Sequence, residues 1–196
     1  MPLKNTGAEQ HIKETAKRLL FAEGKLHATT QEIADAAGVN RTALHYYFRS
    51  RDQLIADIFQ DAMQDLSQRL NECMLSDKPF KARTENIIKV FLKHMIAFPY
   101  QETFLITEIN TLGHKLINNI QSAPVKSYLQ DAASEMEKGN IEQMNPAHFL
   151  MNLFSLLSYP LIMAPLYKKL FHLSGKDFQK LIEEREKIIM SMLFKK

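Results

Sequence analysis

The chain has 196 residues, 45% apolar and 24% charged, the composition of a soluble globular protein with room for one larger domain or two small ones. Six glycines and only three valines, Val39, Val90 and Val125, argue against a large sheet and for an all-helical fold. The net charge is +3, and the surplus is local: residues 1–51 hold eight Lys or Arg against five Asp or Glu, while the remainder balances at seventeen of each.

Glu9 to Glu23 is a predicted helix, with Ile12, Ala16, Leu19 and Leu20 on one face and Gly24 ending it. Thr29 to Arg51 reads as a helix-turn-helix. Thr29-Thr30-Gln31-Glu32 has capping-box spacing, so the Thr29 hydroxyl accepts from a first-turn amide while Glu32 reaches back. Ile33, Ala34 and Ala37 form a small apolar face, Gly38 supplies a positive φ, and Val39 plugs the corner. Asn40 caps the next helix, and Leu44 and Phe48, four apart, face inward.

That leaves Arg41, Thr42, Ala43, His45, Tyr46 and Tyr47 outside. Arg41 sits in the first turn, where a recognition helix meets base edges, and its fork suits the O6/N7 edge of guanine. His45, Tyr46 and Tyr47 suit phosphates, sugars and thymine methyls, and Arg49 and Arg51 are placed for backbone phosphates. The pattern alone leaves open a helix-turn-helix that never touches DNA, with Tyr46-Tyr47 as packing.

The wording of the segment resembles the DNA-binding domain of the TetR family of bacterial transcriptional regulators. The matching residues are TTxxIAxxAGV (Thr29 to Val39), Leu44, Tyr47-Phe48, Arg51 and Leu54, within about residues 9–55. The familiar ending L-Y-x-x-F-x-x-K-x-x-L is here L-H-Y-Y-F-R-S-R-D-Q-L, with His45 at a usual tyrosine and Arg51 at a usual lysine. Arg51 keeps the phosphate charge, whereas His45 makes its contact open to protonation. A looser echo lies at Gly139-Asn140-Ile141 before Asn145-Pro146. The resemblance implies an all-α chain with a DNA-binding domain at 1–51 and a helical effector-binding and dimerisation domain at 52–196. The DNA contacts expected are Thr29, Thr30, Gln31, Asn40, Arg41, Thr42, Ala43, His45, Tyr46, Tyr47 and Arg51, with Arg41 and Thr42 reading bases and Thr30, Tyr47 and Arg51 anchoring phosphates.

Ser50 caps a long helix starting near Asp52, whose stripe from Leu54 through Ile58, Ala62 and Leu66 reaches Cys73. It leaves the motif without a flexible linker. Ser76 to Pro79 is a break, and a helix follows from Phe80 to Phe98, stopped by Pro99. Further helices are predicted over Thr103–Leu112, Lys115–Gln121 and Val125–Met136, the last ended by Gly139. Asn145-Pro146 opens an apolar helix, uncharged over the 21 residues from Ala147 to Tyr167. That length would span a bilayer, but Pro160, Pro165 and several polar groups favour a kinked helix buried in a helical protein over a membrane segment. His172 to Gly175 is a turn before the last helix, Asp177–Phe194.

The last helix sets Phe178, Leu181, Ile182, Ile188, Ile189, Met192 and Leu193 against a charged face. It packs either on its own core or, as the resemblance implies, in a two-fold homodimer through helices near 145–171 and 177–194. From Phe59 onward lie nine of ten Met and ten of twelve Phe, read either as plain core or as a cavity for an apolar or amphipathic small-molecule effector of unknown identity. Expected lining residues are Phe91, Met95, Phe104, Glu108, Met151, Phe154, Tyr159 and Met163. Glu108 either meets a cationic or hydroxylated ligand or points to water.

Cys73, the only cysteine, forms no internal disulfide and reads as core, in keeping with a reducing cytoplasm. No signal peptide is visible in a terminus polar through Glu14. No phosphate loop, HExxH or CxxC is present and the seven histidines are scattered, so neither an enzyme, a cofactor nor a metal site is expected. The reading is a dimeric repressor released from a double-stranded operator by a small ligand. The alternatives are a ligand-independent chromosome-binding or architectural protein and an enzyme or carrier with incidental N-terminal helices.

Overall fold

Gly24 and Tyr100 show how the first part of the chain closes. Gly24 takes φ +71, and a Cβ there would lie 2.8 Å from the Tyr100 ring. The Tyr100 N–H donates to the Phe21 carbonyl at 2.9 Å. In the computed structural model, which describes residues 6–112 and 122–195, every regular element is helical. The all-helical expectation holds. Described residues up to Asp65, with those from Phe98 to Leu112, form one compact unit; Leu66–Ala97, with those from Ser122 onward, form a second.

In the first unit, α1 (Thr6–Lys17) continues into one wider turn, Arg18–Ala22, that buries Leu19, Leu20 and Phe21. There the Glu23 N–H reaches back five residues to the Arg18 carbonyl at 3.1 Å, a π-type bond. α2 (Thr30–Ala36), α3 (Arg41–Phe48) and the head of α4 (Arg51–Met74) pack against it. Ile12, Leu20, Ile33, Leu44, Phe48, Leu54, Ile58 and Phe59 are buried, each contributing roughly 1.5–3 kcal/mol of transfer free energy. Asp61 on α4 takes Lys13 at 2.7 Å and Lys17 at 3.0 Å, fastening α1 to α4. α6 (Gln101–Leu112) joins this unit through Phe104, whose ring centroid lies 5.1 Å from that of Phe21.

The second unit holds the rest of α4 with α5 (Phe80–Ala97), α7 (Ser122–Glu137), α8 (Pro146–Ile162), α9 (Ala164–Leu170) and α10 (Gly175–Leu193). Its centre is aromatic: Phe80 lies 4.8 Å from Tyr128 and 5.5 Å from Phe149, with Phe194 closing the group. The buried Tyr128 hydroxyl meets Thr84 Oγ1 at 2.6 Å, and that hydroxyl donates on to the Phe80 carbonyl, so no polar atom of the pair is stranded. Cys73 is buried and accepts from Asn86 at 3.2 Å, and burial pushes its thiol up, as suits a core cysteine.

Helix ends follow local chemistry. Gly139, at φ +80, closes α7: its N–H bonds to Met136 O at 3.0 Å and Asn140 N–H to Glu135 O at 2.9 Å. Asn145 caps α8 and Ser174 caps α10. Two prolines sit differently from expectation. Pro124 lies in the first turn of α7, where its missing N–H is no loss, instead of before it. The single apolar helix expected over 145–171 is two, bent by 64° at Met163, with Pro165 in the first turn of α9. Among the described residues no single helix is long and apolar enough to cross a membrane. The helix predicted near Lys115–Gln121 lies outside the described residues.

Candidate nucleic-acid interface

The turn between α2 and α3 is braced at each step. The Thr29 N–H and hydroxyl donate to Glu32 Oε2 at 2.7 and 2.8 Å, while Glu32 N–H returns to the Thr29 hydroxyl at 3.2 Å. The Thr29 main-chain bond, then its hydroxyl, hold the Glu32 carboxyl below the usual carboxylate range. Gly38 takes φ +65, and Asn40 Oδ1 accepts from Ala43 N–H at 2.7 Å to start α3. Leu44 and Phe48 are buried, which fixes the rotation of α3 about its axis. His11 Nε2 donates to the Ala37 carbonyl at 3.1 Å, tying α1 to the turn; nothing in the sequence pattern marked it.

That rotation turns Arg41, Thr42 and Tyr46 outward, with Tyr46 62% exposed, and leaves Ala43, His45 and Tyr47 half-buried beside them. Tyr46 and Tyr47 meet edge-to-face at 5.2 Å. Thr29 and Gln31 are exposed and Thr30 half-buried at the head of α2, with Gln31 held by Asp35 at 2.7 Å. Arg41 Nε donates to His45 Nε2 at 3.3 Å, and the other ring nitrogen, Nδ1, lies 3.0 Å from the Arg49 carbonyl. Arg49 has φ +49 at the centre of a three-residue turn closed by Ser50 N–H to Phe48 O. The next helix starts as expected, with Ser50 Oγ accepting from Gln53 N–H at 3.1 Å.

Arg51 has a structural role that its charge did not announce. Its Nε donates to Ala28 O at 2.8 Å and its Nη2 to Leu26 O at 2.9 Å. Two of its five N–H groups brace the segment leading into the Thr29 cap, and the two on Nη1 with the second on Nη2 remain for a phosphate. The acceptors are main-chain carbonyls, and carbonyls carry no mark in a sequence.

Residues 12–58 match the family described as bacterial regulatory proteins, tetR family. Residues 12–58 form a TetR-family domain. A probable acrEF/envCD operon repressor of Escherichia coli K12 is 31% identical over 109 residues, 52% of this chain and 49% of that protein. The HTH-type transcriptional repressor KstR2 of Rhodococcus jostii RHA1 is 29% identical over 126 residues, 55% of this chain and 60% of that one. These matches span about half the length of each relative. Over its full length the fold is similar to the crystal structure of a TetR family transcription regulator from Marinobacter aquaeolei VT8, with TM-score 0.67, 14% identity and 100% of each chain covered.

The eight residues expected to line an effector cavity are divided between the two units. Phe91 and Phe154 meet, their centroids 5.6 Å apart, and Met95 is buried in the same core. Phe104 and Glu108 belong to the first unit. Glu108 is half-buried, and burial raises its carboxyl against the pull of Arg51. Met151 and Tyr159 are 61% and 54% exposed, because they lie opposite the buried stripe Phe149, Leu153, Leu157 and Leu161; they do not line an interior. Met163 is half-buried at the bend between α8 and α9.

Proposed function

We propose that this TetR-family chain is a dimeric, DNA-binding transcriptional repressor that a small apolar or amphipathic molecule releases from a double-stranded operator. The observation that carries the reading is the outer face of α3: Arg41, Thr42 and Tyr46 stand clear on a helix whose start and rotation are fixed by Asn40, Leu44 and Phe48. The local surplus of three positive charges in residues 1–51 supports phosphate contact. In this reading Arg41 and Thr42 meet base edges; Thr29, Thr30, Gln31, Asn40, Ala43, Tyr46 and Tyr47 flank them. Arg51 acts mainly by holding the 26–28 segment, and His45 acts through Arg41, as argued below.

Dimerisation is supported by the apolar side chains that α8 and α10 leave outside: Met151 and Tyr159 on one, Leu181, Ile188 and Met192 on the other. Such a face on adjacent helices suits an isologous four-helix contact. Two half-sites then fall about one helical turn (~34–36 Å) apart or at multiples of it. α4 is unbroken from Arg51 to Met74 and is assigned the transmission of the effector signal.

The test is fluorescence anisotropy with a duplex from upstream of the chain's own gene against an unrelated duplex, over a range of salt. Tight, salt-dependent preference for the first duplex is expected. Equal, weak and salt-insensitive binding to both removes the reading. Preference that no compound in a panel of apolar and amphipathic molecules alters favours the architectural alternative.

A further inference from the structure

The side chain at position 45 stands where the family pattern places a tyrosine, and here it is joined at both ring nitrogens. Arg41 Nε has a hydrogen to give and none to receive, so at 3.3 Å His45 Nε2 is the acceptor. The ring proton is then on Nδ1, which donates to the Arg49 carbonyl at 3.0 Å. That carbonyl belongs to a residue held at φ +49, a conformation an L side chain adopts only when its surroundings impose it. One imidazole therefore spans the first turn and the last turn of α3, from Arg41 to Arg49.

The bond to Nε has a consequence for Arg41. A guanidinium can present its fork side-on, through Nε and one Nη, or end-on, through Nη1 and Nη2. With Nε committed to His45, only the end-on pair is free. We propose that His45 is a positioning residue that sets the base preference of this chain: it holds Arg41 so that Nη1 and Nη2 together meet the O6 and N7 acceptors of a guanine in the major groove. The inference rests on the DNA-binding reading above. It also gives the tyrosine-to-histidine departure a role, since a tyrosine there supplies no nitrogen acceptor of this geometry and no second donor toward Arg49. A freed Arg41 has several rotamers and meets phosphate, guanine or water with little discrimination, so the loss is one of choice between bases.

The experiment is selection from randomised duplex DNA by the full-length chain, with the guanine preference at each half-site position read as a ratio of affinities. The wild type is expected to prefer guanine at one position by roughly 5- to 150-fold, the discrimination of a bidentate pair. Arg41→Ala loses that preference. His45→Phe, which lacks both nitrogens, falls to the Arg41→Ala ratio. His45→Gln, with an acceptor and a donor at similar reach, restores most of it. His45→Asn, too short to span both partners, gives the same loss as the phenylalanine variant and replaces it should that variant misfold. A His45→Phe chain that binds more weakly but keeps the guanine ratio places His45 on phosphate and overturns the proposal, as does a preference that survives Arg41→Ala. A wild type that selects no sequence at all overturns the DNA-binding reading itself.

Discussion

Arg185 donates from Nη2 to the main-chain oxygen of Leu156 at 2.7 Å. That oxygen is free because the residue four further on in α8 is Pro160, which has no N–H to return. Arg185 lies on the stripe of α10 between buried Ile182 and Ile189, so the cation is carried inward to the gap that the proline leaves. Removing it strands the carbonyl. We expect Arg185→Met to cost about 1–3 kcal/mol in urea unfolding, the usual penalty of a buried acceptor left without a donor. Pro160→Ala made in that background supplies the missing N–H and recovers most of the loss. If the two changes are additive to within ~0.5 kcal/mol, the proline is not why Arg185 sits there.

Arg51 separates two roles that charge alone cannot. As a phosphate anchor it is replaceable by lysine, the residue usual in the family. As a brace it is not, because an ammonium cannot reach Ala28 O and Leu26 O with the planar fork that Arg51 uses. Arg51→Lys is expected to lower stability by roughly 0.5–1.5 kcal/mol without any DNA present, and to speed amide exchange over residues 26–30. A variant as stable and as protected as the wild type returns Arg51 to the phosphate.

These cases mark where the sequence was legible. Thr29, Glu32, Gly38, Asn40 and Ser50 do their work within three or four residues of themselves, so their spacing alone announces the turn and both helix starts. Leu44 and Phe48 announce which side of α3 is inside, and thereby which side carries Arg41 and Tyr46. The membership of α6 in the first unit was not legible, because it rests on Phe104 meeting Phe21, two rings with no local signal of each other. The same holds for Arg51 and Arg185, whose acceptors are carbonyls. Counting Met and Phe in the second half said nothing about direction, and Met151 and Tyr159 point outward.

Asp61 gives a pH dependence with a definite sign. Burial alone would raise its carboxyl, but the hydrogen bonds from Lys13 and Lys17 and their charges outweigh it, and the group is held below its ordinary value. A carboxyl depressed in the folded state adds stability above its ordinary titration range, and that addition is lost as pH falls through the depressed value. The group is half-buried and its side chain still meets water, so screening limits the effect to ~0.5 kcal/mol. Asp61→Asn should therefore be less stable than the wild type at neutral pH, with the gap closing in acid. A gap that stays constant from neutral pH down to the acid limb would show that the two lysines do not set the titration of Asp61.

The outer faces of α8 and α10 make the assembly testable. Met192 is 64% exposed, three residues after buried Ile189 and one before buried Leu193, so it leaves the core by the rotation of the helix and not by a loose end. A glutamate at that position costs little in an isolated chain, where it meets water. In an isologous contact it appears twice about one axis, desolvated and facing its own copy. Met192→Glu is thus expected to shift the species seen by light scattering toward monomer while leaving helix content unchanged. Operator affinity should fall with it, because two half-sites are then met by separate chains. Lys168, which lies over the Phe178 ring at 5.2 Å and so within its own chain, is the control: Lys168→Gln should not alter the molar mass. A Met192→Glu chain that keeps the wild-type mass at all concentrations removes this face from the interface.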